Sequence, residues 1–289
     1  GGGALKTVVD MAGMFIKNGP VVQVKYFDKE KQILSDRDRS ILWTGPLVIL
    51  VNEGSASASE ILAAAMQDYK RAIIIGGNQT WGKGTVQNIF PLNRMIRGNT
   101  KGDLGALRYT TQKYYRINGG SVQLEGVKSD INIPYRYKYL EFGEKDSENP
   151  LKWDEIDKVE FDKWNSNFNF EEAITNSNNR MANNEYLKLV DENAKWIKSV
   201  QDNKLINLNY DKFKLELDEN SSKTEKFKAL NDYSTNYSFK SLPYELDLIK
   251  NDSVLGLKRE RWHKSLNKDF YIDEALNVLS DLRFSYLDN

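Results

Sequence analysis

The chain opens on a helical pattern. Apolar residues Leu5, Val8, Val9, Met11, Met14 and Phe15 recur near a period of 3.6, and "KNG" followed by Pro20 closes the segment. A helix is therefore predicted over Ala4 to Ile16. The period then shortens. "PVVQVKYFD" alternates in part and predicts a strand, and a short strand is expected at Gln32 to Leu34 within the polar connection "DKEKQILSDRDRS". "PLVILV", Pro46 to Val51, is apolar throughout, the pattern of a strand buried on both faces. A loop from Glu53 to Ser59, a helix from Glu60 to Tyr69 and a second buried strand in "KRAIIIGG" follow. "GTVQNIFPL" and "GALRYTTQKYYRINGGSVQ" read as strands with turns, and "NGG" at Asn118 to Gly120 is a hairpin signal.

The pattern changes near residue 143. "GEKDSENPLKWDEID" is polar, and beyond it come charged segments at a helical period, such as "NNEYLKLVDENAKWIKSVQ" and "DEALNVLSDLRF". Gly1 to Phe142 thus reads as an α/β half of catalytic type, and Gly143 to Asn289 as a mostly helical half. Trp153, Trp164, Trp196 and Trp262 fall in the second half and are expected to pack in a core or between helices. The opening "GGGALKTVVDMAGMF" has neither an initiating Met nor a signal peptide, and reads as the middle of a domain.

Composition narrows the chemistry. Apolar residues make up 40% and charged residues 28%, enough for a core. The 41 basic residues balance 41 acidic ones, so no bias toward nucleic acid follows. No apolar run reaches the roughly 18 residues of a membrane-spanning helix. The chain has no cysteine, which excludes disulfides, thiolate catalysis and cysteine metal sites. Its one histidine, His263, excludes a metal site built on several histidines and reads as a surface residue of a helical tail.

Candidate chemistry concentrates in "VNEGSASASEILAAAMQDYKRAIIIGGNQTWGKGTVQ", Val51 to Gln87. Ser57-x-x-Glu60 has capping-box spacing ahead of a helix, which by itself explains one serine and the glutamate. "GNQTWGK", Gly77 to Lys83, matches the P-loop spacing, but Gly84 stands where Ser or Thr should bind magnesium, and a strand follows where a helix should. A third reading joins the two ends. A serine at a helix start, beside a free backbone N–H, is placed for attack on a carbonyl. With no usable histidine, its base must be another side chain. A desolvated lysine can serve, and glycines on both sides of Lys83 would let the backbone pack closely and bury the amine. Ser-Lys dyads are a variant of the triad logic. "NQT" at Asn78 to Thr80 is a formal glycosylation signal that carries no weight in this setting.

"GSASASEILAAAMQDYKRAIIIG", "TWGKGTVQ", "YTTQKYYRINGGSVQLEGVKSDI" and the opening "GGGAL" together resemble the tail-specific protease, or C-terminal processing peptidase, family. The charged helical region resembles the C-terminal domain of the bacterial tail-specific branch. The resemblance implies a β-rich mixed α/β core, ClpP/crotonase-like, followed by a mostly helical domain. On that reading, 1–142 is the C-terminal portion of the catalytic core and 143–289 the helical domain. It also implies Ser57 as nucleophile, Lys83 as general base and Gln87 as a residue orienting the ammonium. The Ala58 N–H, with an N–H of Gly2 or Gly3, would form the oxyanion hole. Trp81 stands where the family usually has Phe, and the loop leading to Lys83 is one residue longer than usual. The implied activity is a serine endopeptidase acting on proteins recognised near an apolar C-terminus, in the periplasm or cell envelope. An upstream PDZ domain is expected, and no metal or cofactor is implied. The competing expectation is a non-catalytic scaffold that keeps the fold.

Overall fold

A computed structural model describes residues 1–26, 29–96, 98–140, 142–165 and 167–287, with side chains to residue 283. The chain forms two compact units. Gly1–Asn132 with Glu141–Phe168 make the first, and Ile133–Leu140 with Asn169–Asp288 make the second.

The first unit runs α1 (Leu5–Gly13), β1 (Gly19–Tyr26), β2 (Gln32–Asp36), β3 (Val48–Val51), α2 (Ala58–Asp68), β4 (Ile73–Gly76), β5 (Thr85–Pro91), β6 (Ala106–Tyr115) and β7 (Ile131–Asn132). Its strands form two sheets. One is antiparallel in the order β2-β1-β6-β5, and the other is parallel in the order β3-β4-β7. The core lies between α1, α2 and the strands, around Val8, Ala12, Val22, Ile61, Met66 and Ile74. Consecutive alanines at 63–65 of α2 are all buried, and their small side chains allow close packing. Ile73, Ile74 and Ile75 of β4 are each 0% exposed, and full burial of such a side chain stabilises by about 1.5–3 kcal/mol.

Most of the expected strands and helices form, but the segment after the NGG turn makes only an isolated bridge, Tyr115 to Ser121, and one expectation of burial needs correction. β3 was expected to be buried on both faces, yet Leu50 is 38% exposed. β3 is the edge of its sheet, covered on one side only, and β4 in the centre has the all-buried pattern instead. The NGG turn closes as expected, with the Arg116 N–H donating to the Gly120 carbonyl at 2.8 Å. Gly119, at φ +99°, supplies a conformation other residues rarely adopt.

The polar stretch after residue 143 folds back onto the first unit. Backbone N–H groups of Ile156, Val159 and Trp164 donate to the carbonyls of Gly119, Ile117 and Tyr69 at 2.8–2.9 Å. Two tryptophans of the expected helical half therefore sit here. The Trp153 indole donates to the Ser121 carbonyl at 2.9 Å, and the Arg71 guanidinium lies 4.7 Å from the centre of the Trp164 ring.

The second unit holds α3 (Phe170–Ala182), α4 (Glu185–Asp202), α5 (Tyr210–Phe227), α6 (Pro243–Asn251), α7 (Ser253–Leu266) and α8 (Phe270–Leu287). Asn169, Asn184, Asn209 and Asp252 cap α3, α4, α5 and α7, each accepting a backbone N–H three residues on at 3.0–3.1 Å. Ala173 and Ser177 of α3 pack with Val278 and Leu282 of α8 in its core. Arg180 joins them, bonding Glu274 at 2.7 Å and Asp281 at 2.8 Å. Lys138, Tyr139 and Lys195 converge on Asp191 of α4 at 2.7–3.2 Å. Burial opposes that charge, but the three hydrogen bonds outweigh it and bring Asp191 down to about 2. His263 lies in α7, half-buried where a surface position was expected.

Candidate active site

The turn between β3 and α2 holds Ser57 in an unusual conformation. Its φ is 56° and its ψ −115°, a region that costs a non-glycine residue about 1–3 kcal/mol. Something must hold it there, and the main restraint is Glu60. The side chain of Glu60 is 0% exposed, and its carboxylate accepts the Ser57 N–H at 2.7 Å. This is one arm of the expected capping box. The serine hydroxyl itself makes no side-chain cap hydrogen bond. The nucleophile candidate is therefore not spent on holding the helix.

The same carboxylate reaches across to the lysine loop. It accepts the Thr80 hydroxyl at 2.6 Å, the Gly82 N–H at 2.7 Å and the Lys83 N–H at 3.0 Å. Glu60 thus ties the serine turn to the lysine turn. Burial raises its pKa, and the four donors oppose that rise. These bonds also separate the loop from a P-loop, whose free amides would face a phosphate. The Gly82 and Lys83 amides are occupied by an internal anion, and β5 follows in place of a helix.

Thr80 and Tyr114 complete the brace. Thr80 is 0% exposed, and its hydroxyl also accepts the Val127 N–H at 2.8 Å. Tyr114 of β6 places its hydroxyl between the Ser57 carbonyl, at 3.2 Å, and the Lys83 carbonyl. Burial, and then the Glu60 charge, hold this phenol well above its ordinary range, so it remains a donor. Sequence reasoning missed Tyr114, since a tyrosine near a strand end reads as packing. It anticipated only the Ser57 arm of Glu60.

The glycines around Lys83 pack as expected. A Cβ on Gly82 would lie 2.9 Å from the Leu124 backbone, and one on Gly84 2.9 Å from the Gln123 backbone. The amine itself is not buried. Lys83 is half-buried, and its Nζ donates to Gln87 Oε1 at 3.3 Å. Lys83 precedes β5 instead of lying within it, yet the expected contact with Gln87 forms.

Ser57, Lys83, Trp81, Glu144 and the opening glycines line one open depression. Trp81 donates its indole N–H to Glu144 at 2.9 Å and meets Phe142 edge-on at 5.2 Å, forming one wall. A Cβ on Gly2 would lie 2.8 Å from Ser57 Cβ and 3.3 Å from Ala58 N, whereas one on Gly3 would touch nothing. Of the two glycines, Gly2 therefore lies against the serine. Ala58 opens α2, where the backbone N–H lacks a partner within the helix and the helix dipole favours negative charge. No hydrogen bond joins Ser57 Oγ to Lys83 Nζ in this arrangement, and the lysine is oriented by Gln87 instead.

Residues 137–283 match the family described as the C-terminal domain of tail specific protease (DUF3340), and residues 1–133 match Peptidase family S41. The tail-specific protease of Haemophilus influenzae is 38% identical over 286 residues, covering 97% of this chain and 39% of that protein. The carboxy-terminal-processing protease of Bartonella bacilliformis is 39% identical over 149 residues, covering 47% of this chain and 30% of its own length. Among solved structures, the photosystem II D1 C-terminal processing protease shares 33% identity over 46% of this chain and 32% of that one, at a TM-score of 0.39. The chain spans less than half the length of the curated relatives it matches. With one family covering its α/β half and the other its helical half, the chain belongs to the tail-specific proteases of Peptidase family S41.

Proposed function

We propose that this chain carries the Ser57–Lys83 dyad of a serine endopeptidase that cleaves proteins recognised near an apolar C-terminus. The observation that carries this reading is the Glu60 carboxylate, which binds the serine turn and the lysine turn at once. A peptide lying in the depression places its carbonyl over Ser57. Neutral Lys83 takes the hydroxyl proton as Oγ attacks the carbonyl carbon, and the oxyanion is held by the N–H groups of Ala58 and Gly2. Lys83 then gives that proton to the leaving amine as the C–N bond breaks, leaving an acyl ester on Ser57. Water, deprotonated by Lys83, cleaves the ester and restores the serine.

Two features support the roles. Gln87 directs the ammonium along one line, so a rotation of the lysine side chain toward Ser57 is the step a substrate must favour. A bound peptide would also desolvate the half-exposed amine, which favours its neutral form. The family and the relatives' names support protein substrates. The place we propose for the protein, the periplasm or cell envelope, rests on the family resemblance alone. Among the described residues, no helix is long and apolar enough to cross a membrane.

The test uses the full-length protein and an unfolded protein substrate. Lys83→Ala is expected to lower turnover by roughly a hundredfold or more, the scale of losing a general base. Lys83→Arg is expected to fail equally, since Arg does not deprotonate. An active Arg variant would show that the residue supplies only charge.

A further inference from the structure

The second unit contains a cavity of about 620 Å³, within the range of ligand-binding clefts. It lies between α4, the turn after α5, the start of α8 and the segment Ile133–Arg136, all within that unit. Its walls are aromatic. Tyr186 and Phe270 stack at 5.8 Å on one side, and Trp196 meets Phe227 at 5.5 Å on the other. One polar residue sits among them. Asn193 of α4 is 2% exposed and lines the cavity, and its side-chain amide has no hydrogen-bond partner among the described residues. Its polar atoms are not fully sealed from solvent. The neighbouring Trp196 Nε1 is likewise unpaired. An amide that the fold leaves unengaged keeps its donor and its acceptor available to a bound group.

The chemistry of the lining selects the partner. A primary amide offers a donor and an acceptor side by side, which complements the N–H and C=O of a peptide group. The aromatic walls suit an apolar side chain. Arg136, Lys228 and Lys268 stand at the cavity against a single acid, Asp269, whose carboxylate already accepts the Tyr271 N–H at 2.8 Å. Lys228 is partly engaged by Glu225, whereas neither Arg136 nor Lys268 is in an ion pair among the described residues.

We infer that this cavity is a second binding site, which takes an extended peptide by an apolar side chain next to a carboxylate, with Asn193 pairing to the peptide backbone. The assignment is independent of the Ser57–Lys83 chemistry. An apolar carboxylate can come from a peptide end or from a fatty acid, and the unpaired amide favours the peptide.

The experiment is calorimetric titration of the chain carrying Ser57→Ala, which stops turnover. The probes are acetyl-Leu-Ala-Leu with a free carboxylate, its C-terminal amide, and decanoate. The free acid is expected to bind, the amide about tenfold more weakly and decanoate not at all, the scale of one charge-assisted hydrogen bond. Asn193→Leu, which keeps the branched shape and removes the amide, is expected to weaken the free acid at least tenfold without lowering the melting temperature. Lys268→Glu, at an exposed position that should not disturb folding, is expected to weaken the free acid but not the amide. Three results would overturn the inference: no binding of any probe, binding unchanged by both substitutions, or decanoate binding as well as the peptide.

Discussion

Glu60→Gln isolates the brace from the chemistry, because Glu60 touches neither the Ser57 hydroxyl nor the Lys83 amine. The carboxylate faces donors only. Oε1 receives Thr80 and Gly82, and Oε2 receives Ser57 and Lys83. A glutamine keeps one acceptor oxygen and turns an NH₂ toward the other pair. If the NH₂ faces Ser57 and Lys83, two backbone N–H groups lose their acceptor and meet a donor. If it faces Thr80 and Gly82, the Thr80 hydroxyl can rotate to accept, but it already receives Val127, and the Gly82 N–H still meets a donor. Either way about two bonds to an ionised group are lost, each worth about 1.5–3 kcal/mol. The gross loss of about 3–6 kcal/mol is offset in part because a charge is no longer buried. A net destabilisation near 3 kcal/mol follows. Activity should fall further than folding alone explains, since the freed Ser57 turn relaxes from its strained φ and the Ala58 N–H turns with it. The expectation is a drop in kcat/KM of roughly a hundredfold, about 2.7 kcal/mol, carried by kcat with KM little changed. The assay is continuous cleavage of a quenched fluorogenic peptide by the full-length protein, with thermal unfolding measured alongside. If Glu60→Gln kept kcat/KM within twofold and melted at the same temperature, the carboxylate would not be what joins the two turns.

Other outcomes follow from single contacts. Gly84→Ala, whose Cβ would meet the Gln123 backbone at 2.9 Å, should displace the lysine loop and reduce turnover at least tenfold, read by the same peptide assay. Arg180→Ala leaves the 3%-exposed Glu274 side chain without its partner and should cost about 3–5 kcal/mol, measured by denaturant unfolding. The Asp191 pKa is depressed to about 2, so its stabilisation is present above its ordinary 3.8 and is lost as pH falls through 2. The melting difference between the unsubstituted chain and Asp191→Asn should therefore shrink between pH 5 and pH 2, and a constant difference would show that the charge is not the cause.

The pair proposed as the dyad was legible because its signals are local. Ser57 belongs to a serine cluster at a helix start, and Lys83 is fenced by glycines whose close packing the structure shows. Glu60 was half legible. Capping spacing revealed its bond to Ser57 three residues away, but not its bonds to Thr80, Gly82 and Lys83, which depend on how a distant loop returns. Tyr114 left no signal, because a buried tyrosine that bonds two carbonyls and one that only packs look alike in sequence. The apolar run of β3 misled, since hydrophobicity does not say whether a strand is central or at an edge. The return of residues 142–168 to the first unit rests on backbone bonds from Ile156, Val159 and Trp164, which composition does not display.

The central claim is that Ser57 is the nucleophile. Its most direct test is mass spectrometry of the full-length protein during turnover of a peptide ester, with Ser57→Ala alongside. The account predicts an acyl adduct on the tryptic peptide containing Ser57, no adduct in Ser57→Ala, and turnover lower by at least roughly a hundredfold in that variant. An adduct on another serine, or unchanged turnover by Ser57→Ala, would contradict it.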